Sequence, residues 1–149
     1  MAIVQTFARG QIEKYLRKME LKFLQDSDGD FLVQFGYDDD YGCEITVYMM
    51  AAGKRSDVYS IRINSDKRIP KRDWGQALML CNTWNKERRW PKAYLSVRDP
   101  NNDTTASISL EFDIDLEQGI HQELLDDLTG TIIAGGCQFW EWAHKEQGF

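Results

Sequence analysis

Residues 106–117 read ASISLEFDIDLE, and this stretch decides the fold class. Apolar side chains occupy every second position, at Ala106, Ile108, Leu110, Phe112, Ile114 and Leu116. A period of two residues places all six on one side of a β-strand, so one face of the sheet is predicted to be buried and the other to meet water. Four of the intervening positions are carboxylates, so the exposed face is predicted to be acidic.

Further strands are predicted on both sides of this one in the chain. Their ranges are 21–26, 31–38, 43–51, 58–64 and 92–99. The first two are joined by a turn containing Asp28 and Gly29, a dipeptide typical of a hairpin. Strand 43–51 is apolar on both faces, because Tyr48 and Met50 alternate with an apolar set on the other side. It is therefore predicted to be a central strand or part of an interface.

Three helices are predicted, over 6–20, from near Pro70 to about residue 90, and over 120–145. The buried stripe of the second is expected to include Leu78, and that of the third to include Leu124 and Gly135. The order is helix, three or four strands, helix, two strands, helix. This α-β(3)-α-β(2)-α order, with a mainly antiparallel sheet and helices on one face, predicts an α+β fold. Residues 1–149 are expected to form a single domain.

Composition excludes several classes of protein. The chain has 149 residues, of which 42% are hydrophobic and 12% aromatic, which argues against intrinsic disorder. No apolar run approaches the ~18 residues of a membrane span. Three cysteines without close spacing do not indicate a disulfide framework and fit a reducing compartment. The N-terminus lacks a signal-peptide pattern, so a cytoplasmic location is expected.

Charge is distributed unevenly along the chain. Residues 54–98 carry twelve basic and four acidic residues, for a net charge of +8, whereas the rest carries six basic and twenty acidic residues, for −14. This asymmetry is typical of two solvated faces, and it also fits self-association or an acidic partner. The basic segment 67–92 keeps a DNA-contacting transcriptional regulator as an alternative, although the net charge of −6 argues against nucleic acid as a partner.

Residue patterns predict no catalytic residue, metal site or cofactor. The two histidines, His121 and His144, show no metal-ligand spacing with each other or with a cysteine. Asp113 and Asp115 lie on the predicted exposed face, without the burial that tunes an acid–base pair. The glycines of the run TGTIIAGG lack the lysine of a phosphate loop, so they favour close packing of a helix on the sheet or a break in that helix.

Five tryptophans are many for a domain of this size, and tryptophan is enriched at protein interfaces. The candidate protein-interface residues are Tyr48, Met50, Trp84, Trp90 and Trp142. The alternative for the tryptophans is a pocket lined by their rings, as in a small-molecule sensor or an enzyme.

Five strings together resemble a known family. They are FLVQFGYD from Phe31, CNTWN from Cys81, PKAYLSV from Pro91, ISLEFDIDLEQGI from Ile108 and FWEW from Phe139. In this order and spacing they resemble the YbjN family, within the type III secretion chaperone-like fold, over roughly residues 6–143. The resemblance implies a small cytoplasmic bacterial protein of a family described as sensory transduction regulators, with no established catalytic residues. The chaperone relatives are homodimers that hold extended segments of partner proteins.

The leading hypothesis is therefore a non-enzymatic protein-binding module, chaperone-like or regulatory, that acts as a homodimer on a protein client whose identity the sequence does not give. The apolar character of strand 43–51 on both faces, the tryptophans and the charge asymmetry support it.

Overall fold

A computed structural model describes residues 3–149. Its helices are α1 (Arg9–Lys18), α2 (Trp74–Glu87) and α3 (Gln122–Lys145), and a 3-10 turn, Lys71–Asp73, leads directly into α2. Its strands are β1 (Leu24–Gln25), β2 (Phe31–Asp38), β3 (Cys43–Ala52), β4 (Val58–Ser65), β5 (Ile69–Pro70), β6 (Lys92–Ser96) and β7 (Thr105–Asp115). None of the helices in this range is long and apolar enough to cross a membrane.

The strands form one antiparallel sheet in the order β1-β2-β3-β4-β7, and both β5 and β6 pair with β7. The predicted α+β class and element order are confirmed. Five strands precede α2. Four of them, β1 to β4, correspond to predicted strands, and the fifth, β5, is a two-residue strand that the residue pattern did not indicate. The long strand β7 therefore lies at the centre of this half of the sheet, since β4, β5 and β6 all pair with it.

The inner face of the sheet is buried under the helices. Val47, Ile63 and Leu110 lie in one row across β3, β4 and β7, and all three are buried. Helix α3 lies directly on this face, because a Cβ added to Gly136 would overlap the side chain of Ile63. Only a glycine permits so close an approach of helix backbone and strand.

The close packing predicted for the TGTIIAGG run holds for two of its three glycines. Gly135 faces Pro91, with 3.0 Å from a built Cβ to Cδ, and Gly136 faces the sheet. A Cβ at Gly130 would make only an ordinary contact, 3.6 Å from the Tyr15 hydroxyl. Helix α3 runs through all three positions without a break.

Two predicted core positions are wrong. Leu78 is 55% exposed, and Leu80 is buried in its place; likewise Leu124 is exposed and Leu125 is buried. In α2 the buried stripe consists of Ala77, Leu80, Cys81 and Trp84. Several apolar residues lie one or two positions apart in each helix and fit a stripe of 3.6-residue period, so the spacing alone could not decide which of them faces the sheet.

The predicted hairpin turn lies between β1 and β2. The carboxylate of Asp26 accepts the backbone N–H groups of Asp28 at 2.9 Å and Asp30 at 3.0 Å. Gly29 adopts φ +89°, a conformation that side chains disfavour. The carboxylate of Asp26 is therefore used to hold the turn.

Candidate functional site

The outer face of the sheet is the strongest candidate site, because all three helices bury their apolar stripes in the core on the inner face. The outer face keeps apolar side chains that are partly or largely exposed. Tyr48 is 38% exposed and Leu24 is 64% exposed. Isolated exposed apolar residues are ordinary, but a contiguous group marks a contact surface.

Strand register joins these side chains into a group. Leu24 of β1 lies opposite Leu32 of β2, and Leu32 lies opposite Tyr48 of β3. Met50, two residues further along β3, points to the same face and is half-buried. We call Leu24, Leu32, Tyr48 and Met50 the apolar band.

The same row continues as a charged band made of Arg62, Glu111 and Lys92. Tyr48 lies opposite Arg62, Arg62 opposite Glu111, and Glu111 opposite Lys92. The Glu111 carboxylate pairs with the Arg62 guanidinium, and its Oε2 lies 3.9 Å from Lys92 Nζ. Glu111 is only 8% exposed, so the two cations compensate a largely desolvated anion. The row is thus apolar at the β1 edge and charged at the β6 edge.

The five predicted interface residues fall on two opposite surfaces. Tyr48 and Met50 lie together on the outer face, whereas the three tryptophans lie on the helix side. Trp84 is 2% exposed, its indole N–H donates to the Pro91 carbonyl at 2.8 Å, and we leave it out of the proposed contact surface. Trp142 packs 5.8 Å from Trp84 between ring centroids and is half-buried; Trp90 is 40% exposed.

Sequence reasoning missed two members of the apolar band. Leu32 alternates with Phe31 and Val33, so the sequence already places it on the opposite face from them. The register of the β1–β2 hairpin then adds Leu24 beside it. The turn at Asp28-Gly29 indicates how β1 pairs with β2. The apolar band extends over three strands, however, and the pairing of β2 with β3 joins residues that are more distant in sequence.

The side chains that could carry chemistry are engaged in structural contacts. Burial raises the pKa of the Cys43 and Cys81 thiols to about 11, which keeps both protonated near neutral pH. His121 Nδ1 accepts the backbone N–H of Leu124 at 3.0 Å and caps the start of α3. His144 Nδ1 lies 2.8 Å from the carbonyl oxygen of Phe149.

A cleft beside Trp90 bears on the alternative of a tryptophan-lined pocket. It measures about 420 Å³, lies between the end of α2 and α3, and opens to solvent. Trp84 and Trp90 both line it, yet only Trp90 has a substantially exposed ring. Arg88 stacks on Trp84 instead, with Cζ 5.3 Å from the ring centroid. The cleft is a surface groove, whereas a small-molecule sensor pocket encloses most of its ligand.

Comparison with known proteins identifies a family and a fold. A family model with the description "YbjN: Putative bacterial sensory transduction regulator" matches residues 8–145. No curated protein is similar to the chain in sequence. Among solved structures, the "Crystal structure of YbjN, a putative transcription regulator from E. coli" is similar, with a TM-score of 0.75 and 9% identity over 97% of each chain. At this identity the likeness shows a shared fold.

Proposed function

This chain belongs to the YbjN family, and on that premise we propose that it is a non-enzymatic regulator that binds protein through the outer face of its sheet. The occupant that we propose for this face is a second copy of the chain, so that the working form is a homodimer. The observation that carries the proposal is the apolar band on a sheet face that the helices leave uncovered.

The band has the composition of an interface centre. Tyr48 presents a large ring and a hydroxyl, the combination that is enriched among residues dominating binding energy. Leu24, Leu32 and Met50 surround it with apolar surface. Burial of apolar area stabilises association by roughly 25 cal/mol per Å², so this contiguous group contributes more than scattered apolar residues would.

Charge supports a self-complementary contact. In a two-fold dimer, each patch on one protomer meets the partner's copy of another patch of the same face. Arg62 and Lys92 lie at one end of the row, and β7 adds the exposed carboxylates of Asp113 and Asp115 to the same face. Opposite charges on one face can therefore meet across the two-fold axis. This charge pairing selects the orientation of the two protomers as well as the partner.

The same carboxylates weigh against nucleic acid on this face. The net charge of −6 repels a polyanion at long range, and the basic residues of the face are partly neutralised by Glu111. A protein partner with mixed charge does not face this barrier.

Mass measurement by light scattering coupled to chromatography tests the proposal. The wild-type chain is expected to elute with twice the monomer mass. Tyr48→Glu places a charge in the apolar band and is expected to give monomers. Leu78→Glu is the matched control, because it makes the same kind of change at an exposed apolar residue of α2, away from the outer face, and is expected to leave the dimer intact. Circular dichroism confirms that both variants fold.

Two outcomes would contradict the proposal. A wild-type chain that stays monomeric at the highest concentration reached would exclude the homodimer. Dissociation by Leu78→Glu, with Tyr48→Glu still dimeric, would move the interface to the exposed face of α2, where Leu78 and Met79 lie side by side.

A further inference from the structure

A polar cleft of about 460 Å³ lies at the end of the sheet where β5 and β6 flank β7. Ser96 of β6 lies opposite Ser107 of β7, and both line the cleft. Arg68 comes directly before β5, whose Ile69 lies opposite residue 106 of β7. Arg98 follows β6 by two residues. The topology thus brings two arginines that are distant in sequence to the two sides of one short stretch of β7.

The two guanidinium groups of the cleft are not used by the rest of the fold. Within residues 3–149, no carboxylate oxygen lies within 4.0 Å of either Arg68 or Arg98, and neither side chain donates a hydrogen bond. Arg9, by contrast, pairs with Asp30 at 3.2 Å. Both cations line one cleft, and like charges repel, so an anion bound in the cleft would be attracted by both and would relieve that repulsion.

Hydroxyl donors supply the floor and rim of the cleft. Ser96, Ser107 and Thr105 line it, and within residues 3–149 none of these hydroxyls has a hydrogen-bond partner. The single carboxylate in the lining belongs to Asp103, whose Oδ2 accepts the backbone N–H of Asp99 at 2.9 Å. The lining therefore carries a net positive charge and an excess of donors.

The loop that forms the rim is held in place by its own hydrogen bonds. The Asp99 carboxylate accepts the side-chain amide of Asn102 at 2.6 Å and the backbone N–H of Asn101 at 3.1 Å. These bonds, the one from Asn102 most strongly, hold the pKa of Asp99 below its usual value. Since the rim is already ordered, a ligand would not need to order it on binding.

We propose that this cleft binds the phosphate group of a small phosphorylated molecule. Two guanidinium groups match the oxygens of a phosphate in both charge and geometry, and serine and threonine hydroxyls complete its coordination. The cleft opens to solvent, so charge and hydrogen-bond donors, and not enclosure, would hold the ligand there. The overall charge of −6 favours a compact anion over a nucleic-acid chain. This proposal is independent of the protein contact at the apolar band.

Titration calorimetry at low ionic strength, with inorganic pyrophosphate as the probe, tests the cleft. The wild-type chain is expected to bind one equivalent. Arg68→Gln and Arg98→Gln are each expected to weaken binding at least tenfold, because each removes a charge-assisted contact. Arg89→Gln is the matched control, since it removes another exposed arginine that has no ion pair in the described part of the chain, and it is expected to change affinity less than twofold.

Three further arms sharpen the result. Arg98→Lys keeps the charge and loses the planar fork, so an intermediate affinity is expected. Asp103→Asn removes the repelling carboxylate and is expected to tighten binding. Pyrophosphate, inorganic phosphate and a nucleoside triphosphate are compared to show whether the ligand is a free phosphate or a phosphate carried on a larger group.

The proposal would be overturned by the absence of saturable pyrophosphate binding to the wild-type chain. An equal loss in Arg89→Gln would also overturn it, because the effect would then reflect net charge alone. The chain could also bind a single-stranded oligonucleotide more tightly than pyrophosphate and lose that binding in Arg68→Gln and Arg98→Gln. That result would overturn the small ligand and identify the occupant as a nucleic acid.

Discussion

The hydroxyl of Tyr59 lies 2.6 Å from the hydroxyl of Thr129, and this buried hydrogen bond joins the central strand β4 to helix α3. Thr129 Oγ1 donates in turn to the carbonyl oxygen of Leu125 at 2.7 Å. Tyr59 is therefore the donor to Thr129, and the hydroxyl protons of both residues have an acceptor. Burial raises the pKa of Tyr59, so this donor keeps its proton far into the alkaline range.

The direction of this bond predicts an asymmetry between two substitutions. Tyr59→Phe leaves Thr129 bonded to Leu125 and is expected to lower the free energy of unfolding by about 1 kcal/mol. Thr129→Val leaves the Tyr59 hydroxyl buried without an acceptor, and is expected to cost about 1–3 kcal/mol. Urea denaturation of both variants measures the difference. A larger loss in Tyr59→Phe would show that the donor and acceptor are assigned the wrong way round.

Two glycines of α3 predict opposite effects of the same substitution. Gly136→Ala would force its Cβ against the Cδ1 and Cγ2 atoms of Ile63, a side chain that is itself buried in the core. A loss of about 1–3 kcal/mol is expected from this overpacking. Gly130→Ala meets only the Tyr15 hydroxyl at 3.6 Å, and alanine favours the helix by up to ~1 kcal/mol, so a gain is expected.

Thermal denaturation of the two alanine variants provides the measurement. A neutral Gly136→Ala would show that α3 does not pack on β4 as closely as the structure has it, and a destabilised Gly130→Ala would show that α3 packs more closely against Tyr15 of α1 than the structure has it.

Local patterns predicted the strands well because a strand with one buried face has an apolar residue at every second position. The alternation at 106–116 differs from β7, Thr105–Asp115, by one residue at each end. The helices were predicted equally well as elements, and most residues of their buried faces were predicted too, but single positions such as Leu78 and Leu124 were wrong. Leu78 and Leu80 both fit a 3.6-residue stripe, and only packing against the sheet decides between them.

The candidate sites were predicted only where they depend on a single strand. Tyr48 and Met50 stood out because β3 is apolar on both faces. The apolar band and the charged band need the register of six strands, and the phosphate cleft needs Arg68 and Arg98 to meet across β7. Such juxtapositions between segments distant in the chain are not encoded in any local period.

Alkaline pH is expected to destabilise the fold. Burial raises the pKa of Cys43 and Cys81 from 9.0 to about 11, so the unfolded state releases these protons at lower pH than the folded state does. The stabilising contribution is complete below pH 9 and is lost as the pH rises towards 11. Since one pKa unit corresponds to about 1.4 kcal/mol, the two thiols together account for several kcal/mol.

Melting temperatures measured from pH 7 to 11 test this dependence. The double variant Cys43→Ala and Cys81→Ala removes both titrating thiols and is expected to give a shallower decline above pH 9. Cys43→Ala alone is expected to lie between the two. An identical slope in the wild type and the double variant would assign the decline to Cys137 and the buried tyrosines, whose pKa values burial also raises.

One side chain of α2 covers the free edge of β6, and this contact predicts an effect on stability and aggregation. Asn85 Nδ2 donates to the Ala93 carbonyl at 2.9 Å, and Asn85 Oδ1 accepts the Ala93 N–H at the same distance. In the part of the chain that the structure describes, no strand lies beyond β6, so Asn85 takes the place of a neighbouring strand at Ala93.

Asn85→Ala leaves both backbone groups of Ala93 without their partner and is expected to cost about 1–3 kcal/mol and to promote aggregation through the freed edge. Asn85→Asp keeps the acceptor but sets a carboxylate oxygen against the Ala93 carbonyl oxygen, so a loss at least as large is expected. Asn82→Ala, an exposed asparagine on the same helix, is the control and is expected to change stability by less than about 0.5 kcal/mol. Urea denaturation and light scattering measure the two effects. If Asn85→Ala is as stable as Asn82→Ala, then α2 does not hold the edge of β6 by this contact.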